Sequence, residues 1–168
     1  RSEMIRRLAR ERNVHLLLGT TDVTWQDEPK YYNAAVLVDP RGETAGVYHK
    51  QHLVPFGEYV PMERLLRGLI QFFDLPMSRN EPGPWLQSSL LAGELLLSIS
   101  ICYEVAYPEL VRQSTRDADL LVTVSNDTWF GSSIGPWQHL QMARMRTLEN
   151  GRAMVRATNN GVTALIAH

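Results

Sequence analysis

SISICYEVAYPEL, residues 98–110, is the stretch whose reading decides the fold. A buried strand ends at Ile101, a cysteine follows, and a helix begins a few residues later. That order sets the Cys102 thiol near helix N–H groups, whose positive potential favours a thiolate. The backbone N–H of Tyr103 is then in position to donate to an oxyanion. The same pattern also fits a buried, inert cysteine, a common fate for a lone thiol.

Downstream, strand and helix patterns alternate. Tyr107 to Thr115 reads as a helix, Leu120 to Ser125 as a strand and Pro136 to Glu149 as a helix. Ala153 to Thr158 reads as a strand that pairs with Val162 to Ile166 across the turn at Asn159-Asn160-Gly161. Upstream, Glu94 to Ile101 forms the strand that leads into Cys102, and Asn80 to Pro84 is a loop. Met62, Leu65, Leu66, Leu69, Ile70 and Phe73 recur at helical spacing. A helix packed on its own core is one reading of that apolar face; the other, that it meets lipid or guards substrate entry, holds if the substrate is a membrane lipid.

The first third of the chain is richer in strands. Thr44 to His49 and Tyr32 to Val38 form a hairpin about the turn Asp39-Pro40-Arg41-Gly42. Asp22 to Lys30 reads as a polar loop, His15 to Thr20 as a short buried strand, and Ser2 to Arg12 as a helix with an apolar stripe at Met4, Ile5, Leu8 and Ala9. The sum is a layered α/β architecture of two mixed sheets with helices outside.

Composition narrows the function. The 168 residues carry a formal charge of −1, with 44% hydrophobic and 21% charged residues, an ordinary globular balance with no electrostatic case for nucleic acid. The lone cysteine cannot form an internal disulfide. His49 and His52 have no third and fourth ligand nearby in sequence, so no metal is expected. No apolar run is long enough to span a bilayer; Leu90 to Ile101 is broken by Gly93 and Glu94. The only lysines are Lys30 and Lys50.

Two further segments carry candidate chemistry. In YHKQHLVPFGEYVP, residues 48–61, a strand delivers Lys50 to its end and a Pro-Gly loop holds Glu58. An ammonium so placed can steady an oxyanion; a surface ion pair is the plainer reading. In the stretch from Val124 to Gly161, the polar strand end Ser125, Asn126, Asp127 precedes Trp129 and Phe130, where ligand loops of α/β sheets lie; Asx turns explain the same residues structurally. Gly131 to Gly135 matches G-x-S-x-G, but TWFG separates Ser133 from the strand, against a serine elbow.

Taken together, YHKQHLVPFGEYVP, SICYEVAYPE and SNDTWFGSSIGPWQHLQMARMRTLENGR resemble, in order and spacing, the apolipoprotein N-acyltransferase family of the nitrilase (carbon–nitrogen hydrolase) superfamily. The resemblance implies a nitrilase-like αββα sandwich, incomplete at both ends over residues 1–168. It makes Cys102 the nucleophile, Lys50 the triad lysine and Glu58 a second active-site glutamate. Tyr103 and Glu104 match residues needed beside the nucleophile, and Trp129 falls in a loop near the site. It implies a phospholipid acyl donor, an apolipoprotein acceptor and no cofactor. It sets the reaction at the bacterial inner membrane, with the catalytic domain facing the periplasm. The family's base glutamate and membrane-spanning helices are expected outside these residues, so this stretch alone is expected to be inactive. A nitrilase-type amidase acting on a small amide and a non-catalytic module of the same fold are the rival functions.

Overall fold

The computed structural model describes residues 2–25, 28–55, 57–59 and 80–168. The stretch from Met62 to Phe73 lies outside the described residues. Helix α1 (Ser2–Arg12) is followed by β1 (Leu16–Trp25), β2 (Pro29–Val38) and β3 (Thr44–His49). Strands β4 (Leu90–Ala92) and β5 (Leu95–Ile101) lead to a 3-10 turn over Cys102–Ala106 and to α2 (Pro108–Ser114). Then come β6 (Leu120–Asn126), a 3-10 turn over Asp127–Phe130, α3 (Gly135–Asn150), β7 (Met154–Asn159) and β8 (Ala164–Ile166).

The strands form two sheets, one in the order β1-β2-β3 and one in the order β4-β5-β6-β7-β8. The second is mixed: β5, β6 and β7 run parallel, and β4 and β8 close the edges antiparallel. The first is antiparallel throughout its three strands, which corrects the expectation of two mixed sheets. The parallel pairs need crossovers, and α2 and α3 supply them.

The sheets pack face to face. Ala35, Leu37 and Tyr48 from the first meet Leu90, Leu97, Ile99, Ile101 and Val122 from the second in one buried cluster. Because side chains alternate along a strand, the opposite face of the second sheet buries Leu121, Met154 and Ile166 against Val105, Val111 and Ala143 of the helical layer. Helix α1 is tied to the first sheet by Arg6, which donates from Nη1 to the Gly42 carbonyl at 2.7 Å. The result is the αββα sandwich.

Two local expectations fail for identifiable reasons, and one segment holds a strand that the sequence reading did not name. Asp22 to Lys30 is not a loop: β1 runs on to Trp25 and pairs with Pro29 at the tip of a long hairpin. Its residues beyond Leu18 are mostly exposed, so no hydrophobic alternation marks them. The broken apolar run Leu90 to Ile101 is a hairpin, turning at Gly93, whose φ of 69° suits a residue without a Cβ. In α1 only Ala9 is buried; Met4 and Leu8 are exposed.

Ile99 lies in the inter-sheet cluster, three residues before Cys102. Ile99→Ala is expected to cost about 2–5 kcal/mol of unfolding free energy, as large-to-small core changes do. Denaturant titration checks this; a loss below about 1 kcal/mol would show that the inter-sheet contact is not well packed.

Candidate active site

Strand β5 ends in an elbow. Ile101 keeps an extended backbone at φ −109°, and Cys102 then turns to φ 53°. A left-handed conformation costs an L-residue about 1–2 kcal/mol, so the surroundings must hold it.

Glu104 does much of the holding. It is 0% exposed. Its Oε2 accepts the Ile101 N–H at 2.7 Å, and its Oε1 accepts the Gln51 N–H at 2.6 Å and the His52 N–H at 3.2 Å. Tyr48 donates its hydroxyl to both oxygens, at 3.1 and 3.2 Å. One carboxyl group therefore joins the chain after β3 to the elbow after β5. Burial pushes Glu104 above the usual carboxylate range, while the three backbone N–H groups and the Lys50 charge work against that rise. Burial, with the Glu104 charge beside it, also pushes the Tyr48 hydroxyl far up, which keeps it a neutral donor.

Lys50 follows β3 and is 1% exposed. Its N–H donates to the Asn33 carbonyl and its own carbonyl accepts the Gly83 N–H, both at 2.8 Å. Its Nζ donates to Glu58 Oε2 at 2.7 Å. The same oxygen accepts the Val54 N–H at 2.8 Å, and Oε1 accepts the Asn33 side-chain amide at 2.7 Å. The expected ion pair is thus a buried one, and Glu58 is fixed by three donors.

Lys50, Glu58, Cys102 and Tyr103 line one pocket of about 340 Å³. Its apolar walls include Val54, Trp129, Phe130 and Met142. Trp129 stands at the rim, 62% exposed. Of the six residues that the family resemblance assigned to the site (Lys50, Glu58, Cys102, Tyr103, Glu104 and Trp129), Glu104 alone stands behind the pocket rather than in its lining. Ser133 is also outside that lining; its Oγ accepts the Gly135 N–H. His49 stacks on Tyr32 and pairs with Asp22, and His52 packs against Tyr107, so the two histidines face different partners.

A second buried cluster lies beside Cys102; sequence reasoning named its Asp127 but missed His139 and Arg156. Asp127 Oδ2 accepts from Arg156 Nη2 at 2.8 Å, and its Oδ1 accepts the Ser125 hydroxyl at 2.6 Å. His139 Nδ1 lies 3.0 Å from Asp127 Oδ1, and its Nε2 donates to the Cys102 carbonyl at 3.1 Å. Burial pushes the Arg156 guanidinium down, and the Asp127 carboxylate offsets that. A signal existed: MVRATN sets an arginine inside a strand of a parallel sheet, where both faces are normally apolar. Such a charge requires a buried partner.

Fold and site together define a class, and the chain belongs to the carbon–nitrogen hydrolase family of enzymes, whose family description matches residues 2–168. The apolipoprotein N-acyltransferase of Azotobacter vinelandii is 57% identical over 162 residues, covering 95% of this chain and 31% of that protein. The chain therefore spans about a third of the length of the curated relatives it matches. A carbon-nitrogen hydrolase from Helicobacter pylori G27 shares the fold at a TM-score of 0.71 and 20% identity, covering 96% of this chain and 51% of that one. A mutant of the amidase from Nesterenkonia sp. AN1 that carries the acetamide moiety of fluoroacetamide on its active-site cysteine superposes at a TM-score of 0.62 and 25% identity, covering 94% of this chain and 51% of that one.

Glu104→Gln tests the carboxyl joint. Both oxygens accept backbone N–H groups, so either orientation of the amide sets an NH₂ against a donor. A loss of about 1–3 kcal/mol in unfolding free energy is expected, as for a buried donor left unsatisfied. Unchanged stability in a denaturant titration would contradict the assignment of Glu104 as that joint.

Proposed function

We propose that this chain carries the acyl-transfer site of an apolipoprotein N-acyltransferase, with Cys102 as nucleophile, Lys50 as oxyanion partner and Glu58 as the residue that holds Lys50. The observation that carries the reading is the shared pocket: a thiol at a strained elbow and a buried, oriented ammonium line one largely apolar cavity. The 57% identity to a named N-acyltransferase supports the substrate class. The covalent cysteine adduct of the related amidase supports the chemistry.

The thiol gives its proton to a base, and Sγ attacks the ester carbonyl of a phospholipid acyl chain. The carbonyl oxygen gains charge, which the Lys50 ammonium and the Tyr103 N–H stabilise. The ester C–O bond breaks and the lysophospholipid leaves with the proton on its hydroxyl. The N-terminal amine of a diacylglyceryl-cysteine apolipoprotein then attacks the thioester, the C–S bond breaks, and the thiol is restored. Trp129, Phe130 and Met142 suit an acyl chain and keep water from the thioester.

The family resemblance implies a base glutamate outside the 168 residues, and the commitment of Glu58 to three donors and the place of Glu104 behind the site are consistent with that. Residues 1–168 alone are accordingly expected not to turn over, since a positioned base is worth ~10²–10⁴-fold. Among the described residues no helix is long and apolar enough to cross a membrane. The reading sets the chemistry at the bacterial inner membrane, facing the periplasm, with the membrane contact made by other parts of the full-length protein.

The test gives the full-length protein phosphatidylethanolamine and a diacylglyceryl-cysteine peptide and follows the N-acylated peptide. Cys102→Ala is expected to abolish product. Hydrolysis of small amides without detergent, faster than peptide acylation, would replace this reading with that of an amidase. Lys50→Arg is expected to lose nearly as much as Lys50→Ala, on the order of 10²–10³ in rate, because a planar guanidinium cannot take the place of a compact ammonium. An arginine variant with most of the parent rate would reduce Lys50 to a generic positive charge.

A further inference from the structure

The cluster of Asp127, His139 and Arg156 is unused by the mechanism, yet it touches the nucleophile's own peptide. Asp127 and Arg156 are both 0% exposed and His139 is 4% exposed. These three polar side chains come from three elements: the turn after β6, helix α3 and strand β7. Gly161, just past β7, approaches so closely that a side chain there would collide with the Asp127 carboxylate.

The Cys102 carbonyl can only accept, so His139 Nε2 carries the proton of their 3.1 Å hydrogen bond. On the other side of the ring, Nδ1 lies 3.0 Å from Asp127 Oδ1 and 3.2 Å from Arg156 Nη2, while Asp127 holds the guanidinium through Oδ2. The ring is thereby fixed in orientation, with its Nε2 proton aimed at the Cys102 carbonyl.

The carbonyl of Cys102 belongs to the same rigid peptide unit as the N–H of Tyr103. In a planar trans peptide the C=O and N–H point in opposite directions. Anchoring the carbonyl on His139 therefore aims the Tyr103 N–H the other way. That N–H is among the first of the 3-10 turn, where donors have no partner within the turn. The peptide also follows the φ of 53° at Cys102, a conformation that relaxes unless something holds it.

Resting on the acyltransferase reading above, we propose that His139, braced by Asp127 and Arg156, is a positioning residue that aims the Tyr103 N–H at the oxyanion by fixing the Cys102 carbonyl. It touches no reacting atom. Its removal weakens stabilisation of the oxyanion and leaves the intrinsic reactivity of the thiol in place.

The experiment uses the full-length protein and two readouts of Cys102. One is the rate of acyl-enzyme formation from phosphatidylethanolamine, which passes through an oxyanion. The other is the rate of alkylation by iodoacetamide, which does not. For His139→Leu, acylation is expected to fall about 10²-fold, the worth of one oxyanion donor, with alkylation within about threefold of the parent. His139→Gln carries an amide N–H to the place of Nε2 and is expected to restore most of the acylation. His139→Asn, whose amide is too short to reach the carbonyl, is expected not to. Acylation by His139→Leu at the parent rate overturns the proposal. So does a parallel fall of both rates, which marks a merely structural role. Should His139→Leu fail to fold, the Gln and Asn variants decide: equal acylation by the two overturns the proposal. A parent protein that forms no acyl-enzyme refutes the acyltransferase reading itself, a result distinct from any of these.

Discussion

A buried carboxyl group joins the two halves of this site. Lys50 arrives at the end of one sheet and Cys102 at the end of the other, and Glu104 accepts hydrogen bonds from the chain beside each. A charge in that position is costly to bury unless it is fully bonded, and removing one side of such an arrangement is far more damaging than never having had it. Four donors converge on Glu104, three of them backbone N–H groups that have no choice of role. The group therefore acts as a spacer between two sheets whose shared core is apolar, a packing that has no direction of its own.

Two buried ion pairs flank that joint. Lys50 and Glu58 stand on the side of the first sheet, Asp127 and Arg156 on the helical side of the second. Each pairs its charges internally; Lys50 and Glu58 line the pocket, whose walls at Val54, Trp129, Phe130 and Met142 are apolar. An aliphatic chain and a reacting ester ask for this division: dispersion and exclusion of water along the walls, fixed dipoles where charge develops. The strain at Cys102 fits the same scheme. The backbone is held before it by Glu104, through the Ile101 N–H, and after it by His139, through the Cys102 carbonyl.

Much of this was legible in the sequence where the signal is local. The readings of β5, β6, β7 and α3 fall within a few residues of their observed bounds, and the approach of a strand to Cys102 marked the elbow. The polar half of the β1–β2 hairpin was not legible, because strands exposed on both faces carry no alternation. The three-residue β4 was too short to register beside β5. The hydrogen bonds that build the site were out of reach for another reason. Glu104 meets Gln51 across 53 positions and His139 meets Cys102 across 37, so only the folded sheets bring them together. Glu104 was singled out by family resemblance, whereas Arg156 went unnoticed, its one signal being a charge inside a strand that should have been apolar.

The central claim is that Cys102 holds the acyl group as a thioester. The direct measurement is to trap the acyl-enzyme of the full-length protein with phosphatidylethanolamine alone, digest it and locate the adduct by peptide mass spectrometry, with and without neutral hydroxylamine. The expected result is a single acylated peptide containing Cys102, discharged by hydroxylamine. An adduct on Ser133 or any other hydroxyl, or one that resists hydroxylamine, would contradict the account.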